Sequence, residues 1–485
     1  MAMNSWDFIS RMRVRLREEE GTLRTEAPFR VALCYPGQYA VGMSSLGFQT
    51  IYREIHLHPG AGAERAFLPD NAEDHRRLRV PLFTCESETP VANFPVVAFS
   101  ISFELEITGL LEMLALSGIP QLRTDRTERH PLIVAGGPLT YSNPLPLAPF
   151  VDLILLGEAE ELIHTFLEAA ASTSRTELLT CLATLPGCYV PGRSHRLPPL
   201  ARAHEDRLPA HSQIITPKAV LRSMFLIEPE RGCSRTCAFC VMRATTNGGM
   251  RLVAPEKVLA LIPGHARRVG LVGAAVTDHP RITDLVGDIV RSGREIGISS
   301  LRADRLSEEL MGLLCEGGCR TLTTAADGVS QRLRNSVQRR TSEQDLIRAA
   351  GLVRKYHLEH MKLYEIIGLP GETPDDIDEL VRFSLELARI APLSLAISPF
   401  VAKRNTPLDG AAFEPVPSLE GKLARLRTGV KGKVDIRSVS ARWAWVEYML
   451  AQGGEAEGIA ALEAWRGGGD FASWKRALKD AARVL

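Results

Sequence analysis

The sequence predicts an α/β protein: an N-terminal doubly wound parallel sheet, then a partial (β/α)6 barrel, then a small C-terminal α/β or helical tail. The prediction rests on an alternation of short apolar runs with stretches of helical periodicity, which occurs twice along the chain. A connector rich in Pro, Arg, His and Ala, without clear periodicity, separates the two series. A length of 485 residues corresponds to about three domains, so each series can form its own core.

Composition narrows the class of protein. The formal net charge is +1 and the chain has no basic block, which argues against binding nucleic acid mainly through its phosphates. The sequence also lacks an apolar stretch long enough to span a membrane, and its charged first residues lack the apolar segment of a secretion signal. We therefore expect a cytoplasmic protein with no membrane partner.

The first predicted unit spans 29–190 and follows an amphipathic helix within 1–28. Helical periodicity covers 43–55 and 105–118, between apolar runs with the composition of buried parallel strands. These runs are 30–36, 95–101, 131–137 and 151–157. Ligands of such sheets bind at the carboxyl ends of the strands.

The second predicted unit spans 220–412, after a linker at 191–219 and before a C-terminal region at 413–485. Six strand-like runs alternate with helical stretches, which predicts an incomplete barrel with its active site at the C-terminal strand ends. The six runs are 223–229, 268–274, 297–303, 320–327, 360–368 and 394–400. The C-terminal region adds helical patterns at 419–428 and 455–466 and a strand-like run at 434–440.

Three of the nine cysteines stand together directly after the first strand-like run of the barrel. The segment EPERGCSRTCAFCVMR spaces Cys233, Cys237 and Cys240 as Cys-x-x-x-Cys-x-x-Cys. Such a loop can give thiolates to three irons of a cubic [4Fe-4S] cluster and leave the fourth iron free to bind a substrate or cofactor. The alternative is a zinc knot, which usually takes four ligands in paired Cys-x-x-Cys units, and no partnering Cys or His pair is evident. We expect the other six cysteines, including Cys315 and Cys319, to be packed thiols.

Polar residues near two other strand ends are candidates for catalysis. Lys362 and Tyr364 share one face of the run 360–368, because side chains alternate along a strand, and we predict that both point into the barrel. A tyrosine satisfied within the core is the alternative. Asp278 and His279 lie in a predicted strand-end loop and are candidate acid/base groups or substrate ligands, although a helix-entry turn explains them almost as well.

The cysteine motif, with aromatic Phe239 before its last cysteine, resembles that of the radical S-adenosylmethionine (SAM) superfamily, and the likeness extends over nearly the whole chain. The resemblance implies a TIM-like radical SAM barrel and a [4Fe-4S] cluster held by the three cysteines. It further implies that the amino and carboxylate groups of S-adenosylmethionine bind the open iron. One electron from the cluster then cleaves the sulfonium and gives a 5′-deoxyadenosyl radical.

The same resemblance places further cofactor-binding residues at the strand ends. Gly273 lies in LVGAAVTDHP, where the family has a Gly-rich turn for the methionine amino group, although the usual Gly-Gly-Glu is absent. Ser300 and Arg302 are suited to the ribose or the methionine carboxylate, and a strand-end cap with a surface arginine is the alternative. Asp327 stands where relatives often have Glu, and Gly368 lies in EIIGLPGET, a turn that lets the adenine approach closely.

The first unit resembles the Rossmann-like cobalamin-binding domain that precedes many radical SAM barrels. The likeness rests on CYPGQYAVGMSSLGFQ, FSISFELE, AGGPLTYSNP and GEAEEL, each following a strand. Strand-end glycines let a bulky planar ligand approach, and hydroxyl groups can bond its amide side chains. The implied cofactor-binding residues are Ser44, Ser45, Ser100, Ser102, Gly136, Gly137, Gly157 and Glu158. No Asp-x-His-x-x-Gly occurs, so the histidine that replaces the lower axial base in one group of cobalamin proteins is missing, and a unit that only positions substrate is the alternative.

Together these resemblances imply methyl transfer from cobalamin to an unactivated carbon. The substrate is unidentified, and we expect a small molecule rather than a nucleic acid, with an electron donor such as flavodoxin or ferredoxin. One alternative is a cobalamin-independent or non-methylating radical SAM enzyme, such as a cyclase or a sulfur-transfer enzyme. The other is a non-catalytic regulator that binds an Fe–S cluster or a corrinoid, which deoxyadenosine formation would separate from an enzyme.

Overall fold

The computed structural model of the chain describes residues 5–242, 249–299 and 301–484. It forms two compact units, one running to Phe225 and including the segment from Gly453 onward, the other running from Leu226 to Gln452. Both units are built on parallel strands with intervening helices, so the α/β class predicted from the sequence is confirmed. The finer domain boundaries remain a prediction. Across the described ranges, no helix is both long enough and apolar enough to cross a membrane.

Six strands form the sheet of the first unit: β1 (Phe29–Tyr35), β2 (Ala61–Phe67), β3 (Val96–Ser100), β4 (Leu132–Gly136), β5 (Leu153–Leu155) and β6 (Cys188–Tyr189). Their order is β2-β1-β3-β4-β5-β6, with β1 to β5 parallel and β6 antiparallel to β5. The helices between them are α1 (Ser5–Leu16), α2 (Tyr39–Gly42), α3 (Leu46–Leu57), α4 (Ala72–Leu78), α5 (Ile107–Leu116), α6 (Leu162–Ser172) and α7 (Arg175–Leu182). In a doubly wound sheet of this order the connections reverse between β1 and β3, and the ligand crevice lies at the carboxyl ends of those strands.

Strand β2 was not among the strand-like runs of the sequence. Its sequence, AGAERAF, has small and charged residues where a buried strand usually has β-branched ones. The side chain of Arg65 is 1% exposed, and its charge is met by Glu19 at 2.8 Å and Glu86 at 2.6 Å. A buried charge is tolerated only when it is paired and hydrogen-bonded in this way.

The strands of the second unit are β7 (Met224–Ile227), β8 (Glu230–Gly232), β9 (Met250–Leu252), β10 (Arg268–Leu271), β11 (Glu295–Ile298), β12 (Thr321–Ala325), β13 (His360–Ile367), β14 (Leu393–Pro399) and β15 (Asp435–Ser438). They form the sheets β11-β10-β7 and β12-β13-β14-β15 and the antiparallel hairpin β8-β9. The N–H of Leu301 donates to the carbonyl of Thr323 at 3.0 Å and so links the segment after β11 to β12. Each predicted barrel run overlaps a strand, but the run 297–303 is misplaced, because the strand β11 ends at Ile298 and a 3-10 turn begins at Ala303.

One part of the tail forms differently from the prediction. The run 434–440, expected in a separate C-terminal region, forms β15 and pairs in parallel with β14, so it extends the barrel sheet by a strand.

Helices follow most of the barrel strands: α8 (Pro255–Leu261), α9 (Ile282–Arg291), α10 (Glu308–Glu316), α11 (Gln331–Ser336), α12 (Glu343–Lys355), α13 (Pro374–Ile390), α14 (Val416–Gly429) and α15 (Ala441–Gln452). The longer ones have clear start signals. Ser342 and Asp345 form a capping box at α12, and Thr373 precedes Pro374 at the first position of α13.

The last two helices, α16 (Glu455–Arg466) and α17 (Phe471–Val484), belong to the first unit. Trp465 in α16 donates its indole N–H to Glu112 of α5 at 2.9 Å. Gly458 packs so closely on the carbonyl of Pro146 that a Cβ would collide with it.

Candidate functional site: a cysteine loop at the barrel strand ends

The three motif cysteines lie on a loop that begins where β8 ends. The backbone N–H of Arg235 donates to Cys233 Sγ at 3.4 Å, and the N–H of Cys240 donates to the carbonyl of Cys237 at 3.2 Å. The N–H of Ala238 donates to Val337 at 2.9 Å, which fixes the loop against the segment after α11. Cys237 is buried, and Cys233 and Cys240 are half-buried.

The thiols are close enough to influence one another's ionisation. Burial raises the pKa of Cys233, which the positive charge of Arg302 opposes and the neighbouring Cys237 and Asp278 reinforce. Burial raises the pKa of Cys240 to about 11, and Cys237 and Cys233 add to the effect. Three thiols around one loop form a donor set that a positively charged metal centre would stabilise as thiolates.

The spacing of the three cysteines matches the donor set of a [4Fe-4S] cluster. Among the residues that the structure describes, no three His, Cys, Asp or Glu side chains converge on a position suited to one ion. A mononuclear zinc site needs four donors at about 2.0–2.3 Å from one centre. In a cubane each thiolate binds a different iron, so three neighbouring thiols that do not converge on one point remain a suitable donor set.

Asp278, a predicted acid/base candidate, lies inside an ion-pair network. Arg235 holds its carboxylate with two hydrogen bonds of 2.8 and 2.9 Å, and Ser234 donates a third at 2.9 Å. Burial raises the pKa of Asp278, but these bonds and the charge of Arg302 outweigh it and hold the pKa at about 2. A carboxylate held this firmly in its ionised form is unsuited to proton transfer near neutral pH, so the structure favours an anchoring role.

His279 is the other acid/base candidate of that loop, and both of its ring nitrogens bond to backbone groups. Nε2 lies 3.1 Å from the carbonyl of Val253, and Nδ1 accepts from the N–H of Arg281 at 3.1 Å. These contacts assign the neutral tautomer with its proton on Nε2, and burial lowers the pKa of the ring. The side chain is buried and fixes the entry to α9, as the helix-entry alternative anticipated.

Arg302 and Asp327 lie close enough to the cysteine loop for their charges to act on Cys233 and Cys240, respectively. Burial and the neighbouring charge of Arg339 lower the pKa of Arg302, and among the described residues its Nη2 has no hydrogen-bond partner. Asp327 adopts a left-handed backbone conformation with φ of 57° and pairs with Arg339 at 3.0 Å. Burial raises the pKa of Asp327, against the charges of Arg339 and Arg302. Two buried guanidinium groups next to the loop provide a natural site for a carboxylate ligand.

Gly273 is packed against a carboxylate that sequence reasoning did not identify. A Cβ at Gly273 would collide with Oε1 of Glu230, which accepts from the N–H of Ala275 at 2.9 Å. Glu230 is 0% exposed, and its Oε2 has no hydrogen-bond partner within the described part of the chain. Burial raises its pKa to about 7, and the charges of Glu228 and Asp278 add to this. Gly273 thus has an acidic group directly behind it, although its neighbours in the sequence are apolar.

The predicted alternation along β13 is confirmed. Met361, Leu363 and Ile367 are buried, whereas Lys362 and Tyr364 are more exposed. Lys362 Nζ donates to the Tyr364 hydroxyl at 3.0 Å and lies 4.7 Å from the centre of its ring. Tyr364 has small neighbours on both adjacent strands, Ala325 and Ala396. The pair therefore projects from a part of the sheet that leaves room for a ligand.

Gly368 ends β13 with a φ of 84°, and its N–H donates to Glu372 at 2.9 Å. A Cβ there would meet a terminal methyl group of Leu419 in α14 at 2.8 Å, and the positive φ itself favours glycine. Ser300 lies outside the described residues.

Phe239 lines a cavity of about 280 Å³ at the carboxyl ends of β13 and β14. Its other walls include Ile366, Ser398, Phe400, Lys403 and Glu447. Lys403 and Glu447 pair at 2.7 Å, and the rest of the lining is mostly apolar. A cavity with aromatic walls and a charged rim can hold a flat heterocycle.

In the first unit, the crevice between β1 and β3 combines hydroxyl groups with exposed apolar side chains. The Tyr35 hydroxyl donates to Glu106 at 3.1 Å and lies 3.4 Å from the hydroxyl of Ser102. Phe103, after β3, and Val41, after β1, are each 44% exposed. The half-buried Ser100 ends β3 beside Gly136 of β4. This crevice is the position at which a doubly wound sheet of this order binds its ligand.

Several other residues assigned to the cobalamin site make contacts within the chain. Ser45 caps α3, and the hydroxyl of Ser44 accepts from the N–H of Leu221 at 3.0 Å. A Cβ at Gly137 would meet the carbonyl of Ile101 at 2.7 Å.

Gly157 and Glu158 likewise make contacts with other segments of the chain. A Cβ at Gly157 would collide with Ala201, with which Gly157 forms a parallel bridge, and its φ of 91° also favours glycine. Glu158 accepts from the N–H of Ala203 at 2.7 Å. The connector segment therefore covers the carboxyl end of β5, and these two residues hold it there.

Comparison with known proteins agrees with the class that the fold and the cysteine loop define. Residues 47–191 match the family model described as "Radical SAM proteins, N-terminal", and residues 227–384 match the model of the radical SAM superfamily. The chain belongs to the radical SAM superfamily.

Individual relatives are distant in sequence. An uncharacterized protein of Methanocaldococcus jannaschii is 26% identical over 396 residues, which cover 79% of this chain and 80% of that protein. The structure of the radical S-adenosylmethionine methyltransferase TsrM from Kitasatospora setae matches with a TM-score of 0.56 at 14% identity, covering 94% of this chain and 99% of that one. The cobalamin-dependent S-adenosylmethionine radical enzyme OxsB matches with a TM-score of 0.50 at 16% identity, covering 74% of this chain and 52% of that one. At these identities the structural likeness establishes the fold alone.

Proposed function

We propose that this radical SAM enzyme is a cobalamin-dependent methyltransferase that acts on an unactivated carbon of a small molecule. The observation that carries the proposal is the set of three neighbouring thiols beside two buried arginines at the barrel strand ends. When bound, the cluster and S-adenosylmethionine supply a 5′-deoxyadenosyl radical, and cobalamin supplies the methyl group.

In this proposal different residues of the barrel bind different groups of S-adenosylmethionine. The thiolates of Cys233, Cys237 and Cys240 hold the cluster. Arg302, whose Nη2 has no hydrogen-bond partner among the described residues, binds the methionine carboxylate. Glu230, behind the Gly273 turn, has one carboxylate oxygen without a partner among the same residues, and this oxygen favours the ammonium group. The cavity beside Phe239 accepts the adenine. A cationic ligand near Glu230 also balances a charge that burial otherwise disfavours.

Lys362 and Tyr364 are the proposed substrate-facing pair. The ammonium group of Lys362 donates a hydrogen bond to the Tyr364 hydroxyl at 3.0 Å and so fixes the orientation of the phenol. Tyr364 is thereby placed to hydrogen-bond a substrate, and Lys362 orients it. Their place between small residues leaves the space that a substrate needs.

The first unit supports cobalamin binding at the crevice between β1 and β3. Exposed Phe103 and Val41 offer apolar surface to a planar macrocycle, and the hydroxyls of Tyr35 and Ser102 lie close by for its amide groups. Structures of TsrM with cobalamin and a [4Fe-4S] cluster, and of OxsB with aqua-cobalamin and S-adenosylmethionine, belong to proteins of this fold.

A second candidate is a radical SAM enzyme without cobalamin. Gly137, Gly157, Glu158 and the two serines of the first strand-end loop are all used in contacts within the chain, and this favours a first unit that serves only as a scaffold.

Metal analysis after anaerobic purification, from cells supplied with iron, sulfide and cobalamin, separates the two candidates. The methyltransferase predicts about four irons and one cobalt per chain, with a corrinoid absorption spectrum. Phe103→Glu is expected to lower cobalt without changing iron, and Leu57→Glu, a change at a 60% exposed leucine at the end of α3, should alter neither. Iron without cobalt in the unmodified protein would reject cobalamin and leave the second candidate.

A further inference from the structure

The carboxylate of Asp278 joins the cysteine loop to two neighbouring strand ends. On the loop, Arg235 and Ser234 bond it at 2.8 to 2.9 Å. From the segment after β11, Arg305 lies 3.3 Å and Arg302 lies 3.6 Å from the same carboxylate. The side chain of Asp278 is 2% exposed, so solvent does not compete for these bonds.

Further contacts tie the same three segments together. Arg235 also pairs with Asp304 at 3.0 Å, and the hydroxyl of Thr277 accepts the N–H of Arg302 at 3.2 Å. At the start of the cysteine loop, Glu230 accepts the N–H of Ala275 at 2.9 Å. The loop is thus fastened on both sides of its first cysteine to the turn that carries Asp278.

We propose that Asp278 is a positioning residue that holds the loop of Cys233, Cys237 and Cys240 in its cluster-binding conformation. This inference rests on the proposed function, because it assumes that the loop binds an Fe–S cluster. Ordering a chelating loop costs conformational entropy, and a loop that is ordered before metal binds has already met that cost. Asp278 touches no iron ligand directly and acts through Arg235 and Ser234.

The network also has an electrostatic consequence. Asp278 shares its negative charge among Arg235, Arg302 and Arg305. Replacing it with a neutral side chain leaves Arg235 and Arg302 with Asp304 as their remaining partner in this network and removes the carboxylate that Arg305 faces. The cluster surroundings become more positive, which favours the more negatively charged reduced cluster and raises its reduction potential.

The experiment compares Asp278→Asn with Asp284→Asn in the full-length, anaerobically reconstituted protein. Asp284 is 63% exposed and pairs with Arg281 on α9, so its variant controls for loss of an ordinary surface charge. We expect Asp278→Asn to lose iron to a chelator about tenfold faster than the wild type, as a loss of roughly 1.4 kcal/mol of loop stabilisation implies. We also expect a more positive midpoint potential in an EPR-monitored titration, because the neutral amide no longer offsets the charges of the surrounding arginines.

Each outcome decides the inference. Equal iron loss and equal potential in the two variants would overturn it. If Asp278→Asn does not fold, Arg235→Gln, which removes the loop side of the same pair, must show the faster iron loss. If both fold, the double variant should lose iron more slowly than the product of the two single effects predicts, since both substitutions break the pair between Arg235 and Asp278. A wild-type protein that cannot be loaded with iron would instead overturn the proposed function, and this inference with it.

Discussion

Glu230 gives the barrel a stability that depends on pH. Burial raises its pKa from the ordinary 4.5 to about 7, so the folded protein holds this proton more tightly than the unfolded chain does. A raised pKa in the folded state contributes stability that is fully present below pH 4.5 and is lost as the pH rises through 7. A rise of this size corresponds to about 3 kcal/mol, and the side chain is 0% exposed, so solvent screening does not reduce it.

The perturbation is Glu230→Gln, which keeps the shape of the side chain and an oxygen for the N–H of Ala275 but removes the ionisation. The cost of burying the new amide does not depend on pH, so it adds a constant to the stability difference between variant and wild type. The change of that difference with pH therefore reports the ionisation of Glu230 alone. We expect that difference to shift in favour of the variant by about 3 kcal/mol between pH 4.5 and pH 8.

Urea unfolding of the cofactor-free proteins provides the assay. The chain has two compact units, so pulsed deuterium labelling and mass spectrometry are needed to read the transition of barrel peptides separately. Glu256→Gln, at an exposed glutamate of α8, is the matched control. Hydrogen bonds from the backbone and from Arg281 lower the pKa of Glu256, so the stability difference of this variant should not shift in its favour as the pH rises. A stability difference between Glu230→Gln and wild type that stays constant from pH 4.5 to pH 8 would refute a buried, proton-binding Glu230.

Three further changes test other parts of the structure. Cys237→Ser should abolish iron binding and deoxyadenosine formation, whereas Cys319→Ser, away from the loop, should keep iron content in the same metal analysis. Arg302→Gln should weaken S-adenosylmethionine binding by about tenfold in equilibrium dialysis while retaining iron, because it removes a charge-assisted bond to a carboxylate. Arg65→Met should destabilise the first unit by about 3–5 kcal/mol in urea unfolding, because two buried carboxylates then lack their partner.

The sequence predicted the fold well wherever side-chain pattern reports burial. The alternation along β13 identified the face of Lys362 and Tyr364, and the structure has the same alternation. The side-chain pattern did not reveal β2, because a strand with Glu64 and Arg65 at its centre lacks the apolar composition typical of a buried strand. Those charges are accommodated by partners such as Glu19 and Glu86, which lie far away in sequence. Pairing between distant residues is invisible to a local pattern.

The ligand-contacting residues were harder to predict from the sequence, for a different reason. A glycine at a strand end shows that something approaches the backbone closely, but the sequence does not say what approaches. At Gly157 the neighbour is Ala201, and at Gly368 it is Leu419, both parts of the same chain. The three cysteines are not ambiguous in this way, because their spacing indicates which metal cluster they bind. A glycine indicates only that there is no room for a side chain.

The two acids beside the cysteine loop show why residue type alone does not assign a role. Asp278 and Glu230 are both buried, yet Arg235 and Ser234 hold the pKa of Asp278 at about 2 while burial raises that of Glu230 to about 7. The sequence selected Asp278 as the acid/base candidate because it sits in a strand-end loop. In the structure Glu230 is the group whose pKa lies near neutrality, and Asp278 is a permanent charge. The difference comes from their partners: guanidinium groups surround one carboxylate, and a single backbone N–H meets the other. Identifying the titrating group therefore requires knowing which cations the fold brings near each acid.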